Sequence, residues 1–311
     1  MTNPENEKLI DYLVVLAKPG RKTEMLSDSH WGELILPAPS ENPVKSKDGL
    51  KVVLFASWQF GYIVLETLKE YERKFPGKLN MVGLVTDHPL NPDAKISVKK
   101  RLWRMVDQPT RVIDETTIIE SALSYGMPVY TGEVKIDSFR HLLREWNPDA
   151  ILVCVFGQVI DSSIINIPSY GIYNFHPSDL AHHHGAGPDP YEDLAARHAG
   201  TTVWAVHHVS EEIDAGHVIG QSPEVNILNE KGLLPGNTLV VFNKVAEALS
   251  PLAYFLIGEL CARREMNNKG FIEHLDFQTL FSDNIKNKLM KPVTSDEPTD
   301  IILFHDKSLF V

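Results

Sequence analysis

Apolar residues in this chain fall into two interleaved patterns. The run Ala150-Ile-Leu-Val-Cys-Val-Phe156 is apolar throughout, the pattern of a strand buried on both faces. Gly171 to Phe175 and the β-branched, aromatic stretch Gly200 to His208 read as further strands, as do positions 51–56, 80–86, the short Pro128-Val-Tyr130 and 217–227. Between them, helical spacing predicts helices near 60–74, 115–125, 137–146 and 188–199. A longer helix is predicted from Gly236 to Glu265, with Asn237 or Thr238 as its cap. The stretch 88–114 reads as irregular or partly helical. Strands and helices that alternate in this way imply an α/β fold with a doubly wound, mostly parallel sheet. Residues 1–48 read as an N-terminal extension, partly ordered by Leu13, Val14, Trp31, Leu34 and Leu36, ending in a Pro-rich charged connector. The main domain is expected at 49–270 and a short C-terminal tail, rich in Asn, Asp, Lys and Pro, at 271–311.

Composition narrows the partners. The formal net charge is −11, so the field of the whole molecule opposes a polyanion such as a nucleic acid. The one local exception is Lys95-Ile-Ser-Val-Lys-Lys-Arg-Leu-Trp-Arg104, read as a solvated face, with binding of an acceptor phosphate as the sharper alternative. Cys154 and Cys261 are the only cysteines, which suits two unpaired thiols in a reducing, cytoplasmic setting. A membrane span needs roughly eighteen consecutive apolar residues, and the run Leu9 to Ala17 is short and broken by Asp11. Oligomeric state is left open, a homo-oligomer being compatible with this composition.

The candidate chemistry sits at the ends of strands. Asn174 and His176 lie where the strand from Gly171 gives way to a loop, and ligands bind outside the carboxyl ends of strands in open parallel sheets. The next apolar segment delivers Asp214 from a short acidic loop, with Gly216 allowing a tight turn after it. An amide, an imidazole and a carboxylate brought together suit acyl-type transfer. In isolation, Asn-x-His is more often a strand-end amide beside a surface histidine.

Asn174-Phe-His176-Pro-Ser178, the Gly200-Thr-Thr-Val203 strand start and Asp214-Ala-Gly216 occur in an order that resembles the 10-formyltetrahydrofolate-dependent formyltransferases. Leu50 to Gly61, Met81 to Asp87 and Asn147 to Gln158 extend the resemblance, which covers Leu50 to Ile227. It implies a Rossmann-like formyltransferase fold with residues 49–270 as the catalytic domain. It further implies that Asn174 and His176 stabilise the developing oxyanion, while Asp214 keeps His176 charged and helps the amine proton leave. Phe156, Gly157, Gln158, Val159 and Ile160 would form one wall of the pteridine pocket; Val209, Ser210 and Ile213 would form another.

This chain departs from the family after Ser178. Asp179-Leu-Ala-His-His-His-Gly185 replaces the usual continuation, and His184 stands where a fixed cation is common. Ser178, His184 and Gly185 are therefore expected to face the acceptor. A metal on His182 to His184 is disfavoured, since consecutive residues seldom chelate one ion well, and no metal is expected. His207 and His208 alternate faces of a strand, so at least one is expected to be structural or to face solvent.

The implied function is an N-formyltransferase carrying the formyl group of 10-formyltetrahydrofolate to the primary amine of a small molecule, an amino sugar nucleotide or an amino acid derivative. The alternative is an enzyme like methionyl-tRNA formyltransferase, disfavoured by net acidity and by a tail too short for a tRNA-holding barrel. A deformylase ranks below it, because a regulatory domain larger than 48 residues is expected there. The contrasting class is a non-catalytic protein that binds a metal or a partner.

Overall fold

The computed structural model describes residues 14–15, 17–26, 32–41, 48–88, 108–186 and 190–294. The N-terminal stretch supplies β1 (Lys22–Met25) and β2 (Gly32–Leu36). The central domain then runs β3 (Leu50–Ala56), α1 (Trp58–Lys74), β4 (Leu79–Thr86), α2 (Gln108–Ser124) and β5 (Val129–Gly132). It continues with α3 (Asp137–Trp146), β6 (Ala150–Cys154), α4 (Ser162–Ile165), β7 (Ile172–His176) and α5 (Pro190–Ala196). Short strands follow: β8 (Thr201–Thr202), β9 (Ala205–His208), β10 (Val218–Gln221) and β11 (Val225–Asn226). The last helices are α6 (Thr238–Ala246), α7 (Leu249–Glu265), α8 (Phe277–Leu280) and α9 (Asp283–Leu289).

Among the described residues the main sheet has the order β1-β2-β5-β4-β3-β6-β7-β9-β10. Its five central strands, β5 to β7 in that order, are parallel, and antiparallel pairs extend it on both sides. Alternation along β3 shows the double winding. Leu54 and Ala56 enter one core with Phe60, Phe175 and Phe242, while Val53 and Phe55 enter the other with Phe139 and Ile160. The doubly wound α/β architecture is the one expected from the pattern.

Several boundaries differ from the expectation. Helix α2 begins at Gln108 rather than near 115. The strand expected over 200–208 breaks into β8 and β9, because Trp204 turns its backbone N–H to Ser222 Oγ and its indole N–H to the Val245 carbonyl. The partner expected over 217–227 breaks at Ser222-Pro223, where proline has no N–H to give. The helix expected over 236–265 is two helices bent by 41°. Pro251 forces that break, since it can neither donate to residue 247 nor avoid its carbonyl, yet is tolerated in the first turn of α7. Asn237 does cap α6, accepting from Leu239 N–H. The segment beyond residue 270 packs tightly as far as it is described: Ile272, Phe277, Phe281 and Leu289 are buried in the main core. The basic cluster Lys95 to Arg104 lies outside the described residues.

No single helix among the described residues is long and apolar enough to cross a membrane. Cys154 and Cys261 are buried free thiols.

Candidate active site

Strand β7 runs through His176, so Asn174 and His176 belong to the strand and share one of its faces instead of lying in the loop beyond it. In the antiparallel pair with β9, Asn174 stands opposite His207. That register explains the first contact of the site: Asn174 Nδ2 lies 3.0 Å from His207 Nε2. His207 Nδ1–H donates to the His208 carbonyl at 2.8 Å. The neutral ring therefore keeps Nε2 as an acceptor, and the Asn174 amide must turn its N–H group toward it. Burial pushes the His207 pKa down, against the pull of its hydrogen bond to the His208 carbonyl and of Asp214, which holds the ring neutral near pH 7.

Asp214 comes from the turn after β9, in a left-handed conformation (φ 53°). Its Oδ1 lies 3.5 Å from Asn174 Nδ2, 3.6 Å from His207 Nε2 and 3.8 Å from His176 Nδ1. These separations are long for direct bonds and of the kind that tighten when a substrate arrives. His176 Nε2–H donates to the Gly185 carbonyl at 2.8 Å, which orients the ring and turns Nδ1 toward Asp214. Two glycines make these approaches possible. A Cβ on Gly185 would stand 2.7 Å from Ser178 Cβ, and one on Gly216 would stand 1.6 Å from the His208 oxygen. Gly216 is thus required for close backbone approach and not for the turn conformation.

Asn174, His176 and Asp214 line a cavity of about 270 Å³ at the carboxyl ends of the central strands. All of Phe156, Gly157, Gln158, Val159, Ile160, Val209, Ser210 and Ile213 line it as well. Two of those side chains are spent on the wall itself. Gln158 Nε2 donates to the Gly132 carbonyl at 2.7 Å and its Oε1 accepts from Val134 N–H at 3.0 Å. Ser210 Oγ donates to the Glu212 carbonyl at 2.8 Å. What these positions can offer a planar ligand is apolar surface and backbone polar groups.

Ser178, His184 and Gly185 do not line the cavity. Ser178 is buried beside Gly185, while His184 is half-buried with its N–H on the Asp179 carbonyl. The loop is anchored by the Asp179 carboxylate, which accepts from His182 Nδ1 at 2.8 Å and Gln221 Nε2 at 2.7 Å. Among the described residues no group of three or more His, Cys, Asp or Glu side chains could hold a metal ion.

Sequence reasoning missed His207 as a member of the cluster, together with Phe60, Val155, Pro190 and Phe242 on the cavity wall. His207 was readable only as one of two alternating histidines, because its partner depends on the register of β7 against β9. Val155 carries a second hidden feature: a β-branched residue at φ 53°, a strained conformation of the kind that gathers at functional sites.

Comparison with known proteins shows the family. The family model described as formyl transferase matches residues 69–233, more than half of the chain, and the chain belongs to that family. The family is one of enzymes whose formyl donor is 10-formyltetrahydrofolate. A methionyl-tRNA formyltransferase of Dictyoglomus turgidum is 31% identical over 141 residues, covering 45% of this chain and 38% of that protein. One of Ureaplasma parvum is 30% identical over 178 residues, covering 57% of this chain and 50% of that protein. The chain thus spans half or less of the length of these curated relatives. Among solved structures, glycinamide ribonucleotide transformylase 1 of Symbiobacterium toebii superposes with a TM-score of 0.52 at 14% identity, covering 73% of this chain and 94% of that one. At that identity the likeness is one of fold.

Proposed function

We propose that this chain transfers the formyl group of 10-formyltetrahydrofolate to a primary amine, with Asn174, His176 and Asp214 as the catalytic residues and 49–270 as the catalytic unit. The observation that carries the reading is the convergence of these three side chains, from two separate segments, on one cavity whose lining is otherwise mostly apolar. In the transfer, the amine nitrogen bonds to the formyl carbon and the bond from that carbon to the donor nitrogen breaks. The amine loses a proton and the released nitrogen gains one. Asn174 directs an amide N–H at the oxygen on which charge develops, the arrangement that stabilises acyl-transfer transition states. His176, whose Nε2–H is held by the Gly185 carbonyl, supplies a second donor through Nδ1–H in its protonated form, and Asp214 receives the amine proton. The donor's heterocycle would rest between the 156–160 and 209–213 walls, held by backbone groups.

The relatives named methionyl-tRNA formyltransferase favour an aminoacyl-tRNA as the first acceptor to test. The net charge of −11, together with Glu211 and Glu212 on the cavity wall, favours a second reading, a small amine. Incubation with 10-formyltetrahydrofolate and either methionyl-tRNA or a panel of small amines, read by mass spectrometry, separates them. Asn174→Ala is expected to lose about 10² to 10³ in rate. His176→Ala and Asp214→Asn should abolish most turnover while folate affinity stays within about tenfold, since both act on developing charge. Full turnover in any of the three removes that residue from the mechanism.

A further inference from the structure

Strand β7 ends at His176, and the chain then loops away and returns to the same residue. The Ser178 N–H donates to the His176 carbonyl at 2.9 Å, and the Gly185 carbonyl further along accepts from His176 Nε2–H at 2.8 Å. The segment between, Asp179-Leu-Ala-His-His-His-Gly185, is rich in polar residues and holds a single helical turn, Leu180–His182. Its shape depends on Asp179, whose carbonyl accepts the N–H groups of His182 at 3.2 Å and His184 at 3.0 Å. His183 and Gly185, at φ 60° and 63°, supply the left-handed backbone that brings the Gly185 carbonyl round to His176.

The far side of the loop is fixed to the sheet. His176 stands opposite Ala205 on β9, and Ala205 stands opposite Gln221 on β10, so the three side chains share one face. A register shift between Val218 and Gly220 creates this row, since an unshifted ladder would set Gly220 opposite Ala205. Ala205 presents only a methyl group there, and the Asp179 carboxylate reaches past it to accept from Gln221 Nε2 at 2.7 Å. His182, itself exposed, donates Nδ1–H to the same carboxylate at 2.8 Å. Burial pushes the Asp179 carboxyl up, but the bonds from Gln221 and His182 outweigh it and bring it below the ordinary carboxylate range. The acceptor is thus ionised near pH 7, and bonds to it are about twice as strong as neutral ones.

We propose that Asp179 and Gln221 are positioning residues for His176: by tying the loop to β10 they hold the Gly185 carbonyl on Nε2 and keep Nδ1 turned toward Asp214. The proposal rests on the formyl-transfer reading for what His176 does there. Without that carbonyl the imidazole is free to turn about its Cβ–Cγ bond, a broad torsion with two comparable wells. A half turn puts Cδ2, a carbon, where Nδ1 had faced Asp214. Neither Asp179 nor Gln221 lines the cavity, so their effect on a reaction in it runs through His176.

The test uses the full chain labelled with 15N-histidine, the His176 signals being assigned by their loss in His176→Gln. In the wild type the His176 Nε2–H should give one signal, slow to exchange with solvent. Asp179→Ala should lose that protection. With methionyl-tRNA and phenethylamine offered as acceptors, it should also lower kcat by about 10- to 100-fold while the KM for 10-formyltetrahydrofolate stays within about twofold, the mark of a misplaced reacting group. Asp179→Asn, which keeps an oxygen for Gln221, should recover most of both. Should thermal melts show that Asp179→Ala does not fold, Gln221→Met, which removes the donor at equal length, carries the same comparison. Protection and kcat equal to wild type overturn the assignment. A fall in kcat with protection intact overturns it as well, because Asp179 would then act by another route, and so does lost protection at full kcat. If the wild type formylates neither acceptor, loss of protection in Asp179→Ala and its return in Asp179→Asn support the positioning of His176 and count against the transfer reading alone.

Discussion

At the scale of single residues, the site depends on a side chain that takes no part in the proposed bond-making. His207 is 2% exposed, its Nδ1–H is committed to a backbone carbonyl, and its bare Nε2 dictates which way the Asn174 amide faces. Protonation would place an N–H against the Asn174 N–H group and undo that orientation. His207→Phe is therefore expected to lower kcat by roughly tenfold, about the worth of one misplaced donor, with folate affinity unchanged. His207→Gln, which restores an acceptor, should recover part of it. A kcat equal to wild type in His207→Phe would reduce the residue to packing. The ring also sets a stability window. Burial lowers the pKa of both His207 and His208, so below the ordinary imidazole value of about 6.5 the unfolded chain binds more protons than the folded one. Stability should accordingly fall as pH drops below about 6.5. Urea midpoints measured from pH 7.5 to 5 should show this slope, and His208→Gln should flatten part of it.

At the scale of elements, what the chain revealed in advance was whatever depends on neighbours in sequence. Within the apolar run from Ala150 to Phe156, Ala150 to Cys154 are buried and form β6, and Asn174, His176 and Asp214 were legible because ordered motifs carry them. What depends on distant contacts was not legible: the break at Trp204 needs Val245, the strained Val155 needs the cavity, and the pairing of Asn174 with His207 needs an antiparallel strand where parallel ones dominate. The N-terminal stretch is a similar case. It reads as an extension, yet β2 pairs with β5 and Arg21 staples it to the domain. The Arg21 guanidinium is fully buried, holds Glu41 through two bonds of 2.6 and 2.8 Å, and holds Glu120 at 2.6 Å and the Val15 carbonyl at 2.7 Å. Burial pushes the Glu120 carboxyl up, but Arg21 and Lys18 outweigh it and bring it down to about 2; Arg21 likewise lowers Glu41. Carboxylates depressed in this way stabilise the fold above their ordinary pKa of about 4.3, and the contribution is lost as pH falls toward 2. Arg21→Ala leaves both partly shielded carboxylates without their main partner and is expected to cost about 2 kcal/mol, to remove the acid-range slope, and to spare kcat. An unchanged urea midpoint would show that the hairpin is held by β2–β5 pairing alone.

At the scale of the whole molecule, charge and site pull on the acceptor in different ways. The family relatives named for methionyl-tRNA point toward a polyanionic acceptor, whereas this chain carries a net −11. A polyanion can approach such a surface only where local cations outweigh the global field, and the sequence concentrates five of them between Lys95 and Arg104. Each phosphate neutralised contributes a slope of about −0.7 to −0.9 in log affinity against log salt. Even full use of that cluster therefore gives a total slope near −4, enough to cost more than a hundredfold between about 50 and 200 mM salt. A small amine neutralises no run of phosphates, so its KM should change little over the same range. We expect methionyl-tRNA binding, measured by fluorescence anisotropy, to be weak at low salt and lost by physiological ionic strength. A Lys99→Glu/Arg101→Glu double variant should remove what remains without altering the KM for phenethylamine. Sub-micromolar methionyl-tRNA affinity at 150 mM salt, abolished by that double variant, would establish that the local field prevails over the net charge and would place the small-amine reading second.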